Sequence, residues 1–207
     1  MRALRPARRG WVAILMCVAT LVSAKADASV LVDGNASDWF GVLPPSDNTA
    51  RIARRADGAG ELVWRDAAGD ARGSAAARAC DLTQVRVTGD HDRLYILARC
   101  TGPVIVSGDS AWQVQVALDL NRFTGLGGSN FLGADAAGVT PDAAWEYLVQ
   151  TRFGSGQGAR LVDPYGNDYA GAEAAVHASG VCEISVPWSA LGFSFVPADP
   201  IRVSVAS

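Results

Sequence analysis

Lysine is almost missing from this chain: Lys25 is the only one among 207 residues. Methionine occurs only at Met1 and Met16, and histidine only at His91 and His177. Each scarcity excludes something. Without clustered lysines, and with arginines dispersed along the sequence, there is no basic stripe to follow a phosphate backbone, so nucleic acid is not an expected partner. The few histidines and methionines leave almost no axial ligands for haem. Four cysteines with no C-x-x-C spacing, and histidines far apart, match no structural zinc pattern. The longest apolar run, WVAILMCVATLV, covers 12 residues, short of the roughly 20 that a membrane-crossing helix needs.

That run has a context. MRALRPARRG precedes it, with Arg2, Arg5, Arg8 and Arg9 and no acid, and SAKADA follows with the small-x-small triplet Ala24-Lys25-Ala26. This is the layout of a secretory signal peptide over residues 1–26. Met16 is large where a lipid-attachment signal before Cys17 wants a small residue. Removal of 1–26 takes five of the 18 basic residues and none of the 21 acidic ones, leaving a lysine-free chain with 13 basic residues and a net charge of −8. Residues 27–207 then form one domain, destined for the extracellular space or periplasm, with no membrane attachment after cleavage. Because the sequence stops directly after a strand pattern, that domain is also read as a truncation candidate at its C-terminal side.

Alternation of period two recurs through 27–207, and sustained helical period does not. The expectation is an all-β, antiparallel, jelly-roll-like sandwich of about nine or ten strands. SVLV, ELVW, AWQVQVALDL, AWEYLVQTRF, ARLV and IRVSVAS read as strands, with Trp112, Val114, Val116 and Leu118 on one face. TQVRVTGDHDRLYILARC reads as a hairpin in which Thr88 faces Arg93, so that Val87 meets Leu94 and Val85 meets Ile96. The apolar phase slips between Leu82 and Val85; a β-bulge there brings Cys80 opposite Cys100 and predicts a disulfide between them. AAVHASGVCEISVPW reads as a second hairpin about Ser179-Gly180, with His177 pointing inward opposite Cys182 and Val176 opposite Glu183. Cys182 is read as a buried apolar side chain, and PWSALGF as a helical turn. Pro44 to Gly60 lacks pattern and reads as a surface excursion with solvated Arg51, Arg54 and Arg55.

The chemistry-bearing residues are mostly acids and aromatics. WRDAAGDARGSAAARACD places Asp66, Asp70 and Asp81 near one turn. Calcium takes six to eight oxygen ligands from such loops, and the competing reading is that aspartates cap turns through their own backbone N–H groups, with Arg72 and Arg78 at hand to neutralise them. Asp119 and Asn121, before Thr124-Gly125, form a second oxygen-rich turn with weaker metal credentials. Trp39 is expected to close the sandwich edge. Exposed aromatic faces stack on sugar rings, and Trp145 with Tyr147 are the first candidates for such a platform; burial of both is the alternative. No G-x-S-x-G, H-E-x-x-H or phosphate-cradling loop is present. Glu146 and Glu183 qualify as a glycosidase acid pair only if their carboxyls lie about 5–9.5 Å apart across a cleft.

Several segments, in this order, carry a resemblance: DGNASDW (33–39), WRDAAGD (64–70), DLTQVRV (81–87), DRLYILARC, LDLNRFTG (118–125) and CEISVPWSALG (182–192). Together they resemble the DOMON-like and family 9 carbohydrate-binding module-like β-sandwiches, in particular the module at the C-terminal end of glucodextranase. The resemblance implies an extracellular sandwich that binds polysaccharide or cell-surface glycan, often with structural calcium, and in some branches haem. The family's acidic loop continues with more acids, glycines and aromatics, whereas ARGSAAARA follows Asp70 here.

The functional expectation is a secreted, non-catalytic carbohydrate-binding-type module, with calcium as the candidate cofactor. The alternative is a structural or interaction domain of a cell-surface or envelope protein that binds no glycan. A small glycoside hydrolase is the least favoured reading.

Overall fold

The computed structural model describes residues 13–14, 30–55, 59–70, 80–108, 111–132, 138–152 and 158–207. Its strands are β1 (Ala13–Ile14), β2 (Thr49–Arg54), β3 (Gly60–Arg65), β4 (Leu82–Gly89), β5 (Arg93–Cys100), β6 (Gln115–Asp119), β7 (Tyr147–Arg152), β8 (Gly158–Val162), β9 (Asp168–Tyr169), β10 (Glu173–His177), β11 (Val181–Pro187) and β12 (Arg202–Ala206). Short 3₁₀ turns occupy Ala36–Asp38, Pro141–Ala143 and Trp188–Leu191, the last where PWSALGF promised a helical turn, and there is no α-helix among the described residues. Two six-stranded antiparallel sheets pack face to face, in the orders β1-β12-β6-β7-β8-β9 and β10-β11-β5-β4-β3-β2. Apart from the two-residue β1, eleven strands are described over residues 49–206, slightly more than expected.

The period-two pattern fixes which face each strand buries. Val114, Val116 and Leu118 are fully buried, and Trp112 nearly so, in the inter-sheet core with Val85, Val87, Leu94, Ile96, Ile184, Val203 and Val205. Cys100 and Cys182 lie in the same cluster.

Both hairpins differ from expectation in register. In the first, Gly89 pairs with Leu94, so the turn spans Asp90 to Asp92 and Val87 faces Ile96. The Asp90 carboxylate holds the turn at this position by accepting the N–H groups of Asp92 (2.9 Å) and Arg93 (2.8 Å). A two-residue shift keeps the apolar phase. The bulge lies between Leu82 and Gln84, inside the stretch where the pattern slips, but Leu82 faces Cys100 where Cys80 was expected. The expected Cys80–Cys100 disulfide is therefore corrected: Cys80, Cys100 and Cys182 are free thiols.

In the second hairpin the turn has three residues. Gly180 adopts a left-handed φ of +82° and donates to His177 O at 3.0 Å, so His177 pairs with Val181 and Val176 with Cys182. A slip of one residue exchanges the two faces. His177 is exposed, not inward, and Val176 takes its place in the core.

Two further corrections concern the N-terminal third. The Pro44–Gly60 excursion contains β2, an edge strand whose residues are exposed on both faces apart from half-buried Ala53; with no buried side there is no alternation to read. Val30 to Val32, the described part of SVLV, form no strand. From Val30 to Gly41 the chain runs across the outer face of the β10-to-β2 sheet, where Val30 and Trp39 pack on Tyr95, Leu97 and Val181. Two buried glutamates fasten this strap. Glu183 accepts N–H bonds from Asp33 (3.1 Å), Gly34 (2.7 Å) and the Trp39 indole (2.7 Å). Glu61 accepts from Phe40 (3.0 Å) and Gly41 (2.9 Å) and pairs with Arg86 (3.0 Å) and Arg55 (3.4 Å). Arg55 is thus buried, contrary to the solvated loop expected, with its guanidinium over the rings of Phe40 (5.4 Å) and Trp39 (6.0 Å). A buried guanidinium needs such partners, since an unpaired one is prohibitively desolvated.

Candidate functional site

The two ends of the sandwich carry different chemistry. At one end the strand termini of β3, β4 and β5 bring Asp66 and Asp81 together with the half-exposed Cys80. Asp66 donates its backbone N–H to Thr83 O at 2.9 Å, and the Gly69 N–H donates to the Asp81 carboxylate. Burial pushes the Asp66 carboxyl up to about 6, and the charges of Asp70 and Asp81 push the same way. All three predicted acids therefore gather at one turn, close enough to repel. Arg72 and Arg78 lie outside the described residues. Among the described residues no group of three or more Asp, Glu, His or Cys is arranged to hold a metal ion, so these carboxylates on their own fall short of the six to eight oxygens calcium takes.

The second oxygen-rich turn closes on itself. Asp119 accepts the Arg122 N–H at 2.6 Å and meets Arg202 at 3.4 Å. Asn121 accepts the Phe123 N–H at 2.7 Å, and Glu146 accepts the Leu120 N–H at 2.7 Å. These oxygens face N–H donors, which is turn chemistry. Burial raises the Glu146 carboxyl, but its neighbours are backbone amides of the turn.

Glu146 and Glu183 do not share a cleft. Glu146 immediately precedes β7 in one sheet, while Glu183 projects from β11 on the outer face of the other and holds the strap. Burial raises the Glu183 carboxyl too, and three N–H donors oppose that rise.

The opposite end is aromatic. β6 ends and β7 begins there, with Leu118 paired to Tyr147. The expected platform is half corrected. Trp145 is only 4% exposed, packed with Phe131, Leu148 and Val162 on the outer side of its sheet. Gly128 lies flat on its ring, so close that a Cβ there would come within 2.3 Å of the indole. Tyr147, half-buried, turns the other way and meets Tyr169 edge to face, with ring centroids 5.1 Å apart.

Tyr169 belongs to a hairpin that was not singled out in the sequence. In D-P-Y-G-N, residues 163–167, the Asp163 carboxylate accepts the N–H groups of Tyr165 and Asn167 (2.9 Å each), the Asn167 amide (2.7 Å) and the Tyr169 hydroxyl (3.1 Å). Desolvation alone raises this carboxyl, and the donors outweigh it, so its pKa ends below the ordinary value. The turn projects Tyr165, 90% exposed. Arg160 and Asp168 pair behind it. The signal was present: Asp-Pro followed by Gly-Asn marks a turn, and a tyrosine at its tip has nowhere to be buried. The same end holds a cavity of about 270 Å³ lined by Leu120, Phe193, Phe195, Pro197 and Asp199.

No protein-family model matches the chain, and no curated protein sequence matches it.

Proposed function

We propose that this chain is a secreted, non-catalytic carbohydrate-binding-type module whose ligand contacts lie at the tyrosine end of the sandwich. The observation that carries the reading is the Asp163-braced hairpin, which holds Tyr165 in solvent and Tyr169 against Tyr147. Rigid aromatic rings with a polar tip suit the C–H faces and hydroxyls of sugars, and a turn already fixed by four hydrogen bonds to one carboxylate loses little entropy on binding. Within this reading Tyr147 keeps its expected place, as a support for Tyr169, and Trp145 becomes part of the core.

Calcium is a proposal for the opposite end, where Asp66, Asp70 and Asp81 would supply carboxylates and charge neutralisation would favour their shared deprotonation. Its role there would be to lock the turn. The absence of a shared cleft between Glu146 and Glu183 supports a non-catalytic module over a hydrolase.

Retention on immobilised xylan, mixed-linkage glucan or dextran tests the reading. Binding lost in Tyr165→Ala and Tyr169→Ala proteins that unfold at the wild-type midpoint supports it. Wild-type protein that passes through every matrix favours the alternative, an interaction domain of the cell envelope, for which exposed Leu31 and Phe40 on the strap and Val42 just after it offer a surface.

A further inference from the structure

The strap and the chain just after it rest on the outer face of their sheet at two footings, with a gap between. On one side Val30 packs on Leu97 of β5 and Val181 of β11. On the other, Gly41 lies against Val63 of β3, where a Cβ would come within 2.2 Å of that side chain, and Pro44 O accepts from Arg65 at 3.3 Å. The sheet order β11-β5-β4-β3 puts β4 in the gap. Val85, Val87, Leu94, Ile96 and Ala98 point into the core, so by alternation Gln84, Arg86 and Arg99 point outward. Gln84 lies opposite Arg99 on one flank and Arg65 on the other, with Arg86 two residues further along β4.

Most of these groups are committed. Arg86 pairs with Glu61 at 3.0 Å, and buried Gln84, with its amide turned to satisfy both ends, accepts from Arg86 Nη2 at 2.7 Å and Nε at 2.5 Å. Arg65 pairs with Asp47 at 2.6 Å. Arg99 is different: it is exposed, and its guanidinium has no hydrogen bond or ion pair with any described residue. It also repels its neighbour. Burial is the main influence lowering the pKa of Arg86, Glu61 pulls the other way, and the charge of Arg99 adds to the lowering. A solvated arginine on a strand is ordinary. One left unpaired beside a second guanidinium that two partners hold in place makes a preorganised positive site for an anion.

The rim is apolar. Leu31, next to Val30, is 65% exposed, and Val42 and Leu43, just before Pro44 at the other footing, are 66% and 42% exposed. Scattered exposed apolar residues need no explanation, but two sets flanking one unpaired cation match a particular ligand. A carboxylate takes the Arg99 fork in bidentate fashion, while apolar side chains on either side of it cover Leu31 and Val42-Leu43. A polyuronate chain fits less well, because its charges recur along its length and the next guanidiniums, Arg65 and Arg86, already have acids.

We propose that the gap between the two footings is a docking site for an acidic peptide segment of a partner protein, with a glutamate or aspartate on Arg99 and its apolar neighbours on Leu31 and Val42. The site lies away from the tyrosine end and does not depend on glycan binding there.

The test is fluorescence anisotropy of a labelled peptide of alternating glutamate and leucine, titrated with the full chain. The matching glutamine–leucine peptide and oligogalacturonate serve as comparisons. Saturable binding of the glutamate peptide is expected, weakened about tenfold in Arg99→Glu, reduced by high salt and diminished in Leu31→Ser. Arg51→Glu should bind as the wild type does, because Arg51 is exposed on β2, with β3 between it and the gap. Unfolding midpoints equal to the wild type's assign the losses to contact, and Arg99→Gln replaces Arg99→Glu if that midpoint falls. Equal binding of the glutamine peptide, undiminished binding by the Arg99 variant, an equal loss in Arg51→Glu, or no saturable binding at all overturns the proposal. Displacement by oligogalacturonate at lower concentration than by unlabelled peptide also overturns it, in favour of an acidic glycan.

Discussion

The indole N–H of Trp39 donates to Glu183 Oε1 at 2.7 Å, joining residues 144 positions apart in the sequence. The same carboxylate also receives the amides of Asp33 and Gly34. An acid in the middle of a strand thus organises a segment that forms no strand of its own.

Replacing that carboxylate measures the strap. Glu183→Leu leaves three donors without an acceptor, each unsatisfied buried group costing about 1–3 kcal/mol, partly relieved as the strap lifts into water. Destabilisation of about 3 kcal/mol in urea unfolding is expected, with hydrogen exchange accelerated at residues 33–41. Glu183→Gln, which keeps one acceptor oxygen, should lose about half as much.

Asp66 gives the fold a pH dependence of unusual sign. Its folded pKa of about 6 lies above the ordinary carboxylate value of 3.8, so the folded state holds the proton more tightly than the unfolded chain. Stability from this group is complete below about pH 4 and falls as pH rises through about 6. After screening, the loss at neutral pH is on the order of 1–2 kcal/mol. Asp66→Asn should raise the thermal midpoint at pH 7.5 and flatten this part of the profile when chelator is present. Calcium, if it binds, should raise the wild-type midpoint and do less for the variant.

Trp145 is held by close contact with backbone. Gly128→Ala, which would place a methyl within 2.3 Å of the ring, should destabilise by about 2 kcal/mol and change the tryptophan emission. A Trp145→Ala protein is expected to lose stability by about 3–5 kcal/mol, so loss of any binding in that variant would reflect unfolding.

The layered architecture was legible because one buried side per strand leaves a period of two, as Trp112, Val114, Val116 and Leu118 show. Register was not. Hairpin pairing depends on the turn: Asp90 sets the first turn one position further along the chain, and Gly180 supports a turn of three residues where two were expected. Parity then decided the damage: a two-residue error preserved Val85 and Val87, whereas a one-residue error reversed His177 and Val176. The strap and β2 escaped notice because a segment crossing a sheet's outer face, or lying at its edge, has no alternation. Of the candidate site, the gathering of Asp66, Asp70 and Asp81 was readable from their spacing around one turn. Trp145 was left between platform and core because the glycine that covers it lies 17 positions away, and Tyr165 was passed over because exposure at a turn leaves no periodic signal.

The most direct measurement is a polysaccharide titration of isotopically labelled protein followed by amide chemical shifts. The account predicts perturbations concentrated at residues 163–169 and Tyr147, with the strap at 30–41 and the turn at 66–70 unmoved. Perturbations centred on the strap or the acidic turn, or none with any glycan, would contradict it.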